Sequence, residues 1–206
     1  APHAAEAGKL LLLEKPLALS VEAAERIVTA AHEPTVVFFT FRLDPTLAAW
    51  YRDEVEGRTW DGASMLYLAS IFEPDNPFGH SAWRREHGGL WDVGPHAVAA
   101  VLPELGAVEE LHAVRGPRDE VHLSLRHSSG AASSLSVSLT APAGITETVF
   151  WGQEGSARRP PVDADVVAAY RAAIDALLAG ETRFDARFGL EVVRVLAGAE
   201  AALGAG

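Results

Sequence analysis

The period of the hydrophobic positions changes several times along the 206-residue chain, and each change marks an element. Lys9-Leu10-Leu11-Leu12-Leu13 ends in an uninterrupted apolar run, the signature of a short strand buried on both faces. Such a strand needs a neighbour on each side, so the chain is expected to be the back part of something longer. Ser20 stands before Val21-Glu22-Ala23-Ala24-Glu25-Arg26-Ile27-Val28, which predicts a helix with an N-cap serine and acid in its first turn. Thr35 to Phe41, β-branched and aromatic, predicts a strand. Asp44-Pro45 is a cap followed by proline at the first helical position, and the helix it opens carries Leu47 to about Val55. Ala63 to Phe72 again predicts strand, and Glu73 to His80 a loop rich in turn formers.

Gly88-Gly89 is expected to open a helix from about Leu90 to Leu105, stopped by Gly106. The pattern then falls to period two. Val121, Leu123 and Leu125 alternate with His122, Ser124 and Arg126, and Leu135, Val137 and Leu139 alternate with Ser134, Ser136 and Ser138. This predicts an antiparallel sheet with one face packed and the other free for water or a partner. Ile145 to Trp151 predicts the next strand. Asp163 to Ala179 reads as a helix with Val166, Tyr170, Ile174 and Leu177 as its apolar stripe, stopped by Gly180. Gly189 to Leu203 is a closing helix, apolar nearly all round and therefore buried. The order predicts an α+β fold, a mostly antiparallel open sheet with helices on one face.

Composition narrows the function. At 49% hydrophobic and 22% charged residues the chain is an ordinary globular one. Seventeen Lys+Arg against 28 Asp+Glu give a net charge of −11, which repels polyphosphate and anionic lipid; neither nucleic acid nor a membrane is an expected partner. No apolar run approaches the ~20 residues of a membrane span, and no basic segment with an apolar core opens the chain. With no cysteine there is no disulfide framework, zinc knuckle, iron–sulfur cluster or thiol nucleophile, which fits the cytoplasm.

Three motifs carry candidate chemistry. Glu14-Lys15-Pro16 follows the first strand directly, and ligands of open α/β sheets bind outside the carboxyl ends of strands. A partly desolvated lysine there exchanges a proton with a hydroxyl near neutral pH, with Pro16 fixing the turn that aims it; the plainer reading is a solvated Glu-Lys turn. Asp92-Val93-Gly94-Pro95-His96 puts a carboxylate and an imidazole at i and i+4, one face of a helix, the spacing by which an acid orients a general acid/base; packing or capping is the plainer reading here. No third ligand accompanies the pair, so no metal site is expected. Trp83-Arg84-Arg85 sets an indole beside a guanidinium, suited to stacking on a ring and holding a phosphate or sugar hydroxyl, or simply anchoring a surface loop.

Taken in order, Glu-Lys-Pro after a buried strand, Trp-Arg in a loop and Gly-Gly-x-x-Asp-x-Gly-x-His opening a helix resemble the glucose–fructose oxidoreductase / inositol dehydrogenase family, the Gfo/Idh/MocA proteins. Leu190 to Ala202 resembles that family's closing helix. The resemblance implies an oxidoreductase using NAD or NADP on a small-molecule sugar, polyol or related hydroxy compound. It implies residues 1–18 as the end of a Rossmann domain and 19–206 as a substrate-binding and dimerisation domain, with a homo-oligomer formed through the open sheet face. Lys15 and His96 would be its acid/base pair, with Asp92 assisting. Glu14, Lys15, Pro16, Trp83 and Arg84 would line the cofactor side. The sequence departs from the pattern in two places. It holds no Gly-x-Gly-x-x-Gly fingerprint, and Ala99 stands where an acidic residue often follows the histidine. A non-catalytic dimerisation or ligand-binding module, and an NAD-dependent glycoside or elimination enzyme on the same scaffold, are the alternative readings.

Overall fold

The computed structural model describes residues 1–74 and 76–204. A short helix α1 (Pro2–Glu6) precedes β1 (Leu11–Leu13), the leucine run. Helix α2 (Val21–Ala30) begins as the sequence predicts, with the Ser20 hydroxyl accepting from the Ala23 N–H at 3.2 Å. Strand β2 (Thr35–Val37) pairs in parallel with β1, Leu11 opposite Thr35 and Leu13 opposite Val37, making β1–α2–β2 a βαβ unit. The boundary expected at residue 18 falls inside this unit. Among the described residues its sheet has two strands, too few to define a Rossmann domain. Side chains leave the β2 segment alternately: Val36 and Phe38 enter a small core with Leu43, Ala169, Ala173 and Leu177, while Val37 and Phe39 enter the main one.

The strand expected to run to Phe41 stops at Val37. Thr40–Leu43 turns into a helix, α3, followed by α4 (Pro45–Trp50) and a π-helical turn over Tyr51–Val55. Asp44 caps α4, one carboxylate oxygen accepting from the Leu47 N–H at 2.9 Å and the other from the Asp165 N–H at 2.9 Å.

The main sheet has six strands: β3 (Gly62–Ser70), β4 (Val108–Arg115), β5 (Val121–His127), β6 (Ala132–Ser138), β7 (Thr140–Gly152) and β8 (Gly155–Arg158). Their order is β4-β5-β6-β3-β7-β8, antiparallel throughout except for the parallel β3–β6 pair. The alternation read in β5 holds residue by residue, with Val121, Leu123 and Leu125 buried and His122, Ser124 and Arg126 exposed. Helices α5 (Ala82–Asp92), α6 (Gly94–Leu105) and α8 (Ala186–Gly204) cover the packed face. Gly94 to Leu102 of α6 is buried without interruption. Among the described residues no helix is long and apolar enough to cross a membrane.

Two expectations need correction. Helix α5 starts at Ala82 rather than at Leu90, because the Ser81 hydroxyl caps it, and it kinks at Gly88, whose φ of +62° suits glycine. The next residue, Gly89, lies so close to β6 that a Cβ would come within 2.9 Å of the Ser138 Cα. Its N–H donates to Asp119 on the β4–β5 turn at 3.1 Å; the same carboxylate accepts from the Leu139 N–H at 2.8 Å and from the Ser138 and Thr140 hydroxyls. Burial opposes ionisation of Asp119, yet these four bonds outweigh it and hold the carboxyl below its usual value. The second correction concerns α7 (Val166–Ala179). Asp165 caps it and Gly180 ends it at φ +71°, but Ala169, Ala173 and Leu177 face inward while Tyr170, Ile174 and Leu178 face out. Small residues let α7 lie close on β2, and that close approach decides the face.

Candidate functional site

Lys15 stands just beyond the tip of β1, and its peptide bond to Pro16 is cis. From there the ammonium crosses to the end of α5. It donates to the Asp92 carboxylate at 2.9 Å and to the Asp92 backbone carbonyl as well. Arg84, two turns earlier on α5, donates from Nε to the other Asp92 oxygen at 2.7 Å. One buried carboxylate thus holds two cations from different parts of the chain.

This replaces the Asp92–His96 pairing expected from i,i+4 spacing. Asp92 is the last residue of α5 and His96 lies in the first turn of α6, with Val93 between the two helices. Pro95 is the cause: proline is at home in a first helical turn and not in an interior, so a new helix begins at Gly94. His96 is buried, its Nδ1 has no hydrogen-bond partner among the described residues, and its ring packs at 5.2 Å from that of Phe41 and 5.9 Å from that of Tyr67. Burial, and then the charge of Lys15, hold the imidazole pKa well below its usual value, so His96 is neutral at pH 7. Burial and the Asp92 charge push the Tyr67 phenol up to about 12, leaving it a proton donor.

His96 opens into a cleft of ≈ 500 Å³ lined by Thr40, Phe41, Tyr67, Thr146, Arg159 and the 161–166 segment. A larger cleft of ≈ 670 Å³, between α2 and the start of α8, holds His32, Asp185 and Arg187 and includes neither Lys15 nor His96.

The structure brings Lys15, Asp92 and Arg84 into contact and sets His96 near enough for the charge of Lys15 to act on its ring. It places the remaining predicted residues less centrally. Glu14 accepts a hydrogen bond from the Tyr170 hydroxyl. Trp83 is half-buried against the core, its ring 4.9 Å from that of His87. Phe41, Tyr67 and Arg159 escape a motif reading, since two are spaced as core aromatics; the basic pair Arg158-Arg159 before Pro160-Pro161 is the one local signal.

No protein-family model matches the chain, and no curated protein matches it. Solved structures do. Levoglucosan dehydrogenase, in complex with NADH and L-sorbose, matches with a TM-score of 0.82 at 18% identity, over 99% of this chain and 74% of that one. GenD2 from gentamicin A biosynthesis, in complex with NAD, matches with a TM-score of 0.79 at 21% identity, over 98% and 71%. The WlbA dehydrogenase of Bordetella pertussis, in complex with NADH and UDP-GlcNAcA, gives 0.76 at 21%, over 98% and 71%. The chain shares the fold of these oxidoreductases. These neighbours are of the Gfo/Idh/MocA type to which the motifs pointed. Part of each neighbour's chain lies outside the match.

Proposed function

We propose that this chain is the substrate-side part of an NAD(P)-dependent oxidoreductase acting on a hydroxyl of a sugar, polyol or related compound. The observation that carries the reading is a strand-tip ammonium fixed on Asp92 close enough for its charge to act on the neutral, buried imidazole of His96, which lines the ≈ 500 Å³ cleft. NADH or NAD accompanies the structural neighbours named above, and a sugar ligand two of them. The residues here fit the nicotinamide end of such a cofactor: Glu14, Lys15 and Pro16 stand beyond the carboxyl end of β1, with Trp83 and Arg84 on the adjoining helix. A bound nicotinamide supplies the hydride acceptor or donor.

The protein's own groups handle the proton. Lys15 spends two of its three N–H bonds on Asp92, which leaves one to donate to a substrate oxygen and stabilise negative charge there. His96, neutral and lining the cleft, takes the hydroxyl proton during oxidation and returns it during reduction. Asp92 positions Lys15 rather than His96. The open sheet face, with half-buried Leu66 and Val149 beside exposed Ile145 and Trp151, suits contact with a second copy of the chain.

In the complete gene product, NADH or NADPH binding is expected by fluorescence titration, along with turnover of sugars or polyols. Lys15→Ala or His96→Ala lowers kcat by about 10²–10⁴-fold with the circular dichroism spectrum unchanged. Absence of binding to either nucleotide rejects the reading, and variant activity close to the parent's rejects the assigned roles.

A further inference from the structure

The cleft beside His96 holds a cation that the proton chemistry does not use. Arg159 leaves the end of β8 and is half-buried in the cleft wall, with its guanidinium 5.2 Å from the Phe41 ring centroid. Three backbone carbonyls hold it there: Thr146 at 3.4 Å and Pro160 at 3.2 Å accept from Nη1, and Val162 at 2.8 Å accepts from Nη2. These acceptors fix the group but carry no formal charge. Among the described residues no carboxylate lies within ion-pair distance of it. Two carboxylates influence it from further away. Asp44 has both oxygens committed to backbone N–H groups, and Asp163 stands exposed at the cleft rim. Arg159 is therefore a partly desolvated, immobilised cation whose charge nothing in contact with it balances, unlike Lys15 and Arg84, which share Asp92.

We infer that Arg159 is the anchor for a carboxylate on the ligand of this cleft, making the substrate class a sugar acid or hydroxy acid rather than a neutral sugar. The inference rests on the proposed reading for its hydroxyl chemistry but not for its charge selectivity. Phe41 sets the scale, because its ring lies 5.2 Å from the guanidinium carbon and 5.2 Å from the His96 ring. The Arg159 guanidinium and the His96 ring are therefore no more than about 10 Å apart, close enough for one small acid to place its carboxylate at the first and its reacting hydroxyl at the second. Among the described residues Arg159 is the one Lys or Arg that lines the cleft, with Lys15 outside its lining and neutralised by Asp92, and a single guanidinium matches a monovalent carboxylate better than a phosphate dianion. The site also runs against the net charge of −11, so the attraction is local.

The test is calorimetric titration of the full chain, with and without NADH, against D-glucuronate, D-gluconate, D-glucose, myo-inositol and glucose 6-phosphate. The acids are expected to bind about 10- to 100-fold more tightly than the neutral compounds, the ratio falling as salt is raised. Arg159→Gln should erase that ratio and Arg159→Lys retain part of it, both measured well below melting temperatures that the lost carbonyl bonds lower. If Arg159→Gln does not fold, the salt dependence of the unaltered protein still decides. Equal binding of acids and neutral sugars, a preference for the phosphosugar, no binding of any, or a ratio insensitive to both salt and Arg159 overturns the inference. Acid-selective binding without redox turnover would instead sink the oxidoreductase reading and leave this one standing, whereas nucleotide-dependent turnover of neutral sugars unaffected by Arg159→Gln would do the reverse.

Discussion

Replacing Asp92 with asparagine keeps the side chain's shape and removes its charge, leaving Lys15 and Arg84 facing one neutral amide. The side chains of Lys15, Asp92 and Arg84 keep 16%, 7% and 26% of their exposure, so water screens the three charges little. An exposed ion pair is worth about 0.2–1 kcal/mol, whereas a charge-assisted hydrogen bond out of water is worth about 1.5–3 kcal/mol. The Lys15–Asp92 coupling should therefore be about 2 kcal/mol in a double-mutant cycle of Lys15→Met and Asp92→Asn. Asp92→Asn alone should cost more, about 3–5 kcal/mol, because it strands two cations. At about 2–4 °C per kcal/mol for a chain of this size, that lowers the melting temperature by roughly 6–20 °C. Urea unfolding followed by far-ultraviolet circular dichroism at pH 7.5 measures both quantities. Raising salt should change the coupling little, since a buried pair is poorly screened. A coupling below about 0.5 kcal/mol, or one abolished by salt, would mean that the three side chains are solvated and that Asp92 does not position Lys15.

Acid should weaken the fold from pH 6.5 downward. The native pKa values of His96 and His127 are held below 6.5, chiefly by burial, so on acidification the unfolded chain takes up protons that the native state refuses. Their contribution is full above pH 6.5 and lost below it, with a slope from His96 of up to about 1.4 kcal/mol per pH unit. Urea midpoints at pH 7.5, 6.5 and 5.5 measure it, and a flat series would refute neutral burial. On α7, Ile174 is 46% and Leu178 70% exposed, so Ile174→Lys should leave stability within about 0.5 kcal/mol. Ala173→Leu, on the side facing β2, should cost about 1–3 kcal/mol by overpacking. Thermal melts of the two variants would reverse in order if the apolar stripe read from the sequence were the buried one.

Period and punctuation were legible where they acted locally. Ser20 and Asp44 cap the helices they were expected to cap, Gly106 and Gly180 end theirs, and β5 alternates without a slip. What failed was decided at a distance. Strand β4 hides because a bulge between Val108 and Glu110 breaks its alternation, leaving Leu111 and Ala113 as weak signals. The face of α7 was read correctly at Leu177 but misread at Val166, Tyr170 and Ile174, because alanine looks neutral in a sequence, yet the small Ala169 and Ala173 are what pack on β2. Lys15, Asp92 and His96 were individually recognisable, but their partners were not. Spacing suggested an acid serving the imidazole, while the fold gives that acid to a lysine 77 positions away. Arg159 carried no periodic or motif signal strong enough to single it out, and its setting is made by carbonyls that no sequence pattern announces.

The interruption at Val93 gives the two halves of the site separate foundations. Asp92 takes its position from α5, which Asp119 ties to the β4–β5 turn through Gly89, while His96 rides on a helix sunk in the interior. A change in that distant turn can therefore shift the lysine without moving the histidine, which would feel it only through the charge. In an evolving lineage the two could be adjusted one at a time, an independence that a continuous helix would have forbidden.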